Sequence, residues 1–249
     1  MRISTDALVI KENSIGDNDR VITLMTRDLG VITAFAIGAK SIKSRRGSAT
    51  GLLSYSNFNL EKKGESYRVC EASVNKMFFG AGSDIETLTL AQYFCELSLC
   101  LYPNDSTSEE FLRLILNSLN LLSDKNRSNS LIKAITELRI TSLSGYSPDL
   151  IACDKCGKFE DDYMFFRYSD GKLFCKDCNS PDTTEQINLD ILKAMRHIIF
   201  SEFNKIYSFS LSDENSKKLS SITEKYIIYQ TEHKFKTLDF YNSLTESGT

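Results

Sequence analysis

The chain has 249 residues, 41% of them hydrophobic and 25% charged, which excludes a fibrous, low-complexity or disordered protein and is enough to bury a core without disulfide staples. No run approaches the roughly 20 apolar residues needed to span a bilayer. Met1 to Asp6 has no long apolar stretch after Arg2, so no secretory signal is read and a cytoplasmic location is expected. The formal net charge is −3 but is unevenly placed. Residues 1–80 carry twelve Lys/Arg against eight Asp/Glu (+4), and residues 81–249 carry eighteen against twenty-five (−7). That asymmetry predicts different tasks for the two parts.

The first 80 residues read as strands. Thr5, Ala7 and Val9 alternate with Asp6, Leu8 and Ile10, and a second run covers Arg20 to Thr26. Asp28-Leu29-Gly30 marks a turn before Val31 to Ile37. Two further strands, about Ser54 to Leu60 and Tyr67 to Val74, flank the hairpin loop Lys62-Lys63-Gly64-Glu65. Five short strands with no helix between the second and third predict a small closed barrel of OB type, a common platform for single-stranded nucleic acid. Strand count alone also allows an SH3-like barrel.

Gly80-Ala81-Gly82 reads as the junction of two domains, 1–80 and 81–249, because the hydrophobic period changes there from 2 to 3.6. Ala91, Phe94, Cys95, Ser98, Leu101 and Tyr102 share one face of a buried helix that ends at Pro103-Asn104-Asp105. Thr107 or Ser108, followed by Glu109-Glu110, caps a second helix bearing Phe111, Ile115, Leu119 and Leu122. A third runs from about Ser130 to Leu143, with Leu131, Ile135 and Leu138 inward, and stops at Gly145-Tyr146-Ser147-Pro148. Beyond the cysteines two more helices carry Ile191, Met195, Ile198 and then Leu219, Ile222, Tyr226, Tyr229. The fold class expected is α+β: a five-stranded barrel followed by an α-helical domain with a metal module inserted at about 150–181.

That module is the strongest chemical signal. Cys153, Cys156, Cys175 and Cys178 form C-x2-C-x18-C-x2-C, and two residues between paired cysteines let both sulfurs reach one ion. Zinc prefers such tetrahedral thiolate coordination. The spacer holds a hairpin: Tyr163 to Tyr168 as a strand, Ser169-Asp170-Gly171 as a turn, Lys172 to Phe174 as the return. A thioredoxin-like redox pair would use a single C-x-x-C beside a βαβ unit. One structural zinc per chain is therefore expected. The remaining Cys70, Cys95 and Cys100 are read as buried small hydrophobes.

Catalytic signatures are missing from the sequence. There is no G-x-x-x-x-G-K-[ST] and no G-x-S-x-G, and four cysteines would leave no open position on a metal. A zinc deaminase would need H-x-E ahead of P-C-x-x-C. The only histidines, His197 and His233, fall downstream on predicted helices. No catalytic residue is assigned, and the chain is expected not to be an enzyme.

A second signal is basic. Between Asp28 and Glu61 no acidic residue occurs, yet Lys40, Lys43, Arg45 and Arg46 fall within seven positions among Ser41, Ser44, Gly47 and Ser48. On an OB barrel such a flexible loop suits a phosphate backbone and binds it without reading bases.

Several segments together resemble the bacterial RecO family of recombination and repair proteins. They are Ala7-Leu8-Val9-Ile10 with Asp19 to Thr26, Gly30 and Gly38-Ala39-Lys40; then Glu137-Leu138-Arg139 through Leu143, Gly145-Tyr146, Pro148-Asp149-Leu150, Cys153, Cys156-Gly157, Gly171, Cys175 and Cys178; and, more weakly, Tyr226 to His233 followed by Leu238 to Tyr241. They span nearly the whole chain in the family's order. One departure is that this chain is acidic overall, with a modest +4 on its barrel. The resemblance implies an N-terminal OB domain, then a helical domain with a zinc module that some members lack. It further implies a non-enzymatic mediator that binds single- and double-stranded DNA and anneals complementary strands. With RecR, such a mediator helps load RecA onto DNA coated with single-stranded-DNA-binding protein (SSB). In the family's mode the acidic C-terminal tail of SSB docks between helices, and Lys133 and Arg139 are the cations expected to meet it. The alternative function is a zinc-containing RNA-binding accessory factor of transcription or translation.

Overall fold

The computed structural model describes residues 2–41, 44, 46–79, 83–102, 108–179 and 184–246. The junction Gly80-Ala81-Gly82, the stop at Pro103-Asn104-Asp105, Thr107, Lys43 and Arg45 lie outside the described residues. The chain forms two compact units, Met1–Asp124 with Phe235–Thr249, and Lys125–Lys234.

In the first unit five strands form a closed barrel: β1 (Arg2–Ile15), β2 (Asp19–Thr26), β3 (Val31–Ala36), β4 (Ser54–Lys63) and β5 (Ser66–Met77). Around the barrel the order is β1-β2-β3-β5-β4, with β4 returning to β1. All pairings are antiparallel except a short parallel seam between β3 and β5, where Ala34 pairs with Tyr67 and Phe35 with Arg68. This is the OB arrangement expected from the strand count, and the pairing excludes the SH3-like alternative. Period-2 alternation fixes the interior. Ala7, Val9, Ile22, Leu24, Ala34, Ala36, Phe58, Leu60 and Val69 fill it, joined by Ala39 from the connection after β3. Leu8, Ile10 and Met25 have the opposite parity and are buried too, because α1 (Ile85–Leu101) and α2 (Ser108–Asp124) pack on β1 and β2.

Asp84 caps α1, its carboxylate accepting from the Thr87 N–H at 2.8 Å. A helix not anticipated from sequence, α6 (Lys236–Glu246), also packs on α1. Its N-terminus is capped from α1: the Glu96 carboxylate accepts from the Lys236 and Thr237 backbone N–H groups at 3.2 and 3.0 Å. Two of the four donors that a helix start leaves open are satisfied in this way.

The second unit contains α3 (Asn129–Leu143), β6 (Asp149–Cys153), β7 (Tyr163–Arg167), β8 (Lys172–Cys175), β9 (Thr184–Asn188), α4 (Leu189–Phe200) and α5 (Asp213–Thr231). Ser128, Asn188 and Ser212 cap the three helices through their side chains. The β7–β8 hairpin forms where the sequence places it, with Phe165 opposite Phe174. Two strands beyond the expectation, β6 and β9, extend it to a four-stranded sheet ordered β6-β8-β7-β9. Leu219, Ile222 and Tyr226 are buried on α5 as expected, whereas Tyr229 is half exposed and Ile227 takes the inward place. Among the described residues no helix is long and apolar enough to cross a membrane.

Candidate metal centre and nucleic-acid interface

The four cysteines converge from two strand ends. Cys153 ends β6 and Cys175 ends β8, and each opens a tight turn carrying its partner. In the first turn the Gly157 N–H donates to the Cys153 carbonyl at 2.9 Å with Gly157 at φ 72°. That left-handed conformation favours glycine. In the second, the Cys178 and Asn179 N–H groups donate to the Cys175 carbonyl at 3.1 and 3.0 Å. All four Sγ atoms lie within 4.8 Å of one another, and the Cys156 and Cys175 sulfurs are 3.6 Å apart. A disulfide needs about 2.05 Å, whereas sulfurs on a tetrahedral ion with bonds of about 2.3 Å sit roughly 3.8 Å apart. The group has the spacing of a metal centre.

The sulfurs are close enough to set one another's protonation: hydrogen bonds to Cys175 and Cys156 push the Cys178 thiol up to about 12, and Cys156 is raised as well, so one thiol ionises ahead of the others. Burial by itself raises the Cys153 thiol, but hydrogen bonds from the backbone of Cys175, Cys156 and Lys155 outweigh it and bring the group down to about 6. Thiolate is the ligating form. Ion pairs brace the turns near the cysteines: Lys158 with Asp161 at 3.0 Å and Asp177 at 3.4 Å, and Lys172 with Asp154 at 2.7 Å. A second grouping, Asp161, Cys175 and Asp177, shares Cys175 with the first. Its Asp161 is already engaged by Lys158 and Lys176, so the tetrathiolate is the better donor set. Gly171 fixes the hairpin beneath it: φ is 66°, and a Cβ there would lie 2.7 Å from the Tyr226 hydroxyl and 3.0 Å from Pro148 Cα. Tyr226 donates to the Tyr146 carbonyl at 3.0 Å.

The described residues of the basic segment after β3 are tied to the barrel by hydrogen bonds. The Gly38 N–H donates to Asp19 Oδ1 at 2.7 Å and the Lys40 N–H to the Asn18 carbonyl at 2.9 Å, so Lys40 sits exposed beside the β1–β2 connection. Arg46 turns inward. Its guanidinium donates to the carbonyls of Ile37 at 2.9 Å and Val69 at 3.1 Å, bridging β3 and β5 just beyond their short parallel seam. Arg20, paired with Glu12 at 2.7 Å, donates to the Gly47 carbonyl at 2.6 Å and Thr50 Oγ1 at 3.1 Å. These anchoring roles of Arg20 and Arg46 were not read from sequence, where a guanidinium bound for a carbonyl looks the same as one bound for a phosphate.

Lys133 and Arg139 are not on an open groove. Lys133 is 1% exposed, with Nζ 2.9 Å from Glu137 and 2.7 Å from Glu224. Arg139 donates to the Ile198 and Ile199 carbonyls at 3.2 and 2.7 Å, closing the C-terminus of α4. Their charges are spent internally because α3 is buried on nearly every side. Of the remaining cysteines, Cys95 is buried as expected, whereas Cys70 is half-buried and Cys100 exposed. The His197 ring nitrogen Nε2 lies 2.8 Å from the Lys205 carbonyl, a structural contact.

Comparison with known proteins agrees with this architecture. The family description "Recombination protein O N terminal" matches residues 1–78, and "Recombination protein O C terminal" matches residues 82–239. The chain is similar to the "DNA repair protein RecO" of Acetivibrio thermocellus, 32% identical over 243 residues that cover 97% of each chain. Its counterpart in Caldicellulosiruptor bescii is 27% identical over 96% of this chain and 97% of its own, and that in Dehalococcoides mccartyi 26% identical over 98% and 96%. With both domain models matched in order and a relative of this identity aligned nearly end to end, the chain belongs to the RecO family of DNA repair proteins.

Proposed function

We propose that this chain is a non-catalytic recombination mediator. It binds single- and double-stranded DNA, anneals complementary strands and, with RecR, helps load RecA onto SSB-coated DNA at the nucleoid of the bacterial cytosol. The observation that carries this reading is the basic, acid-free segment between Asp28 and Glu61 on a closed OB barrel. Lys40, and by sequence Lys43 and Arg45, meet phosphates. Arg46 holds the segment in place. Annealing breaks no covalent bond. A cationic face lowers the repulsion between two phosphate backbones while base edges stay free to pair.

The four cysteines hold one zinc ion. The ion's role is to join the β6 and β8 turns and so fix the sheet of the second unit, with all four positions occupied by protein. The acidic SSB tail needs an apolar recess with a cation at its rim. Lys133 does not supply one. A half-polar cavity of about 590 Å³ between α4 and the start of α5 is the alternative recess, where Ala194, Phe209 and Leu211 give apolar surface and Lys193 offers a cation beside Asp190.

The DNA-binding reading is tested by measuring affinity against salt for the intact protein and for Lys40→Glu with Lys43→Glu and Arg45→Glu. If about three phosphates are contacted, the triple variant loses roughly two units of salt slope, at about 0.7 per single-strand phosphate. Unchanged affinity and slope would place the binding face elsewhere.

A further inference from the structure

The outer face of the barrel carries an aromatic side chain that the fold does not use. On β3, Ala34 and Ala36 point into the core, so alternation turns Phe35 outward. Phe35 is 40% exposed, and Ile37, next on the same side, is 46% exposed. Register places Phe35 directly between Val21 of β2 and Arg68 of β5, with Asn13 of β1 beyond Val21. Lys11 lies one outward position along β1 from Asn13 and pairs with Thr23. The outward row across four strands is therefore polar, apolar, aromatic and cationic. Lys11 and Arg68 are both exposed.

Burial accounts for Phe35 only in part, since 40% of it stays exposed. The apolar area left open near the end of a strand contributes nothing to folding, and β3 keeps its interior with two alanines. Nor is the strand a loose edge. It is paired on both sides, and beyond the parallel seam Arg46 links the Ile37 and Val69 carbonyls. Phe35 thus stands on a rigid platform beside the basic segment. In an OB barrel the face of strands 2 and 3 is where oligonucleotides lie. Exposed aromatic faces there stack bases, while flanking cations follow the backbone.

We infer that Phe35, with Ile37 beside it, is a stacking platform for an unpaired base, and that Arg68 and Lys11 meet the adjoining phosphates. The inference rests on the DNA-binding reading above and adds a strand preference to it. A paired base is already stacked on its neighbours and cannot lie on Phe35, so this contact favours single strands and leaves duplex affinity to Lys40 and its neighbours. During annealing the platform would release each base as it pairs.

The chain contains no tryptophan, so Phe35→Trp places a single reporter on the platform. In the full-length protein, Phe35→Trp should keep single-strand affinity, and its fluorescence should be quenched saturably by oligothymidylate. Phe35→Ala should lose about tenfold in single-strand affinity, matching roughly 1–3 kcal/mol per stacked base. Its duplex affinity and salt slope should stay as in the parent, whereas Arg68→Ala should flatten the slope. Equal single-strand affinity in Phe35→Ala and the parent, or unquenched indole fluorescence from Phe35→Trp while the parent binds, overturns the platform and leaves the basic-segment reading standing. A parent protein that binds no DNA overturns that reading instead.

Discussion

Lys133 and Glu137 face each other one turn apart on α3, 2.9 Å from nitrogen to oxygen, with 1% and 0% of their side chains exposed. Glu224 of α5 accepts from the same ammonium at 2.7 Å, and Thr223 donates to Glu137 at 2.6 Å. Two carboxylates thus share one buried cation. Burial pushes the Glu137 carboxyl above its ordinary range, against the pull of Lys133. Lys133→Met should cost about 3–5 kcal/mol, because a buried carboxylate loses its partner. Lys133→Met combined with Glu137→Leu should recover most of that loss.

The same pair sets a pH dependence. An acid raised in the folded state binds its proton where the unfolded chain has released it, so its contribution is present at low pH and is lost as pH rises through the folded value. Melting temperature of the parent relative to Glu137→Gln should therefore fall as pH is raised from the ordinary glutamate range upward. A parallel pair of curves would show that Glu137 titrates normally.

Metal analysis should find one zinc per chain. Cys175→Ser, at a buried position joining both turns, should lose the ion and lower the melting temperature of the protein. If about 3 kcal/mol is lost, the drop is roughly 6–12 °C for a protein of this size. DNA affinity should change little, since the barrel belongs to the other unit. Full thermal stability with no metal bound would remove the structural role.

Arg46 and Lys40 should separate cleanly. Arg46→Ala removes charged hydrogen bonds across the β3–β5 gap and should cost roughly 1.5–3 kcal/mol of stability. Lys40→Glu should leave the melting temperature alone and weaken DNA binding for every sequence alike. Reversal of the two effects would exchange their roles.

Periodicity and spacing carried the barrel, α1 to α5 and the thiolate set, because each is encoded locally. Strand-like runs and turn signals mark the five strands, and C-x2-C-x18-C-x2-C states its own geometry, but Leu8 and Ile10 are as apolar as Ala7 and Val9, so the sequence does not state which face lines the barrel interior. What escaped depends on distant partners. The start of α6 takes its side-chain cap from Glu96, some 140 positions away. Strand β9 reads as polar since only Ile187 is buried. Lys133 looked like a surface cation because sequence does not show that Glu224 waits on another helix. Arg46 looked like a phosphate ligand for the same reason.

The central claim is that this chain mediates annealing, and strand annealing on SSB-coated oligonucleotides tests it most directly. Complementary strands, each saturated with SSB and one end-labelled, should pair many times faster with the protein than without it, in the absence of ATP. The rate should fall as salt rises and fall again in Lys40→Glu. An annealing rate equal to that of the SSB-coated strands alone, with protein shown to be folded and zinc-loaded, would contradict the account.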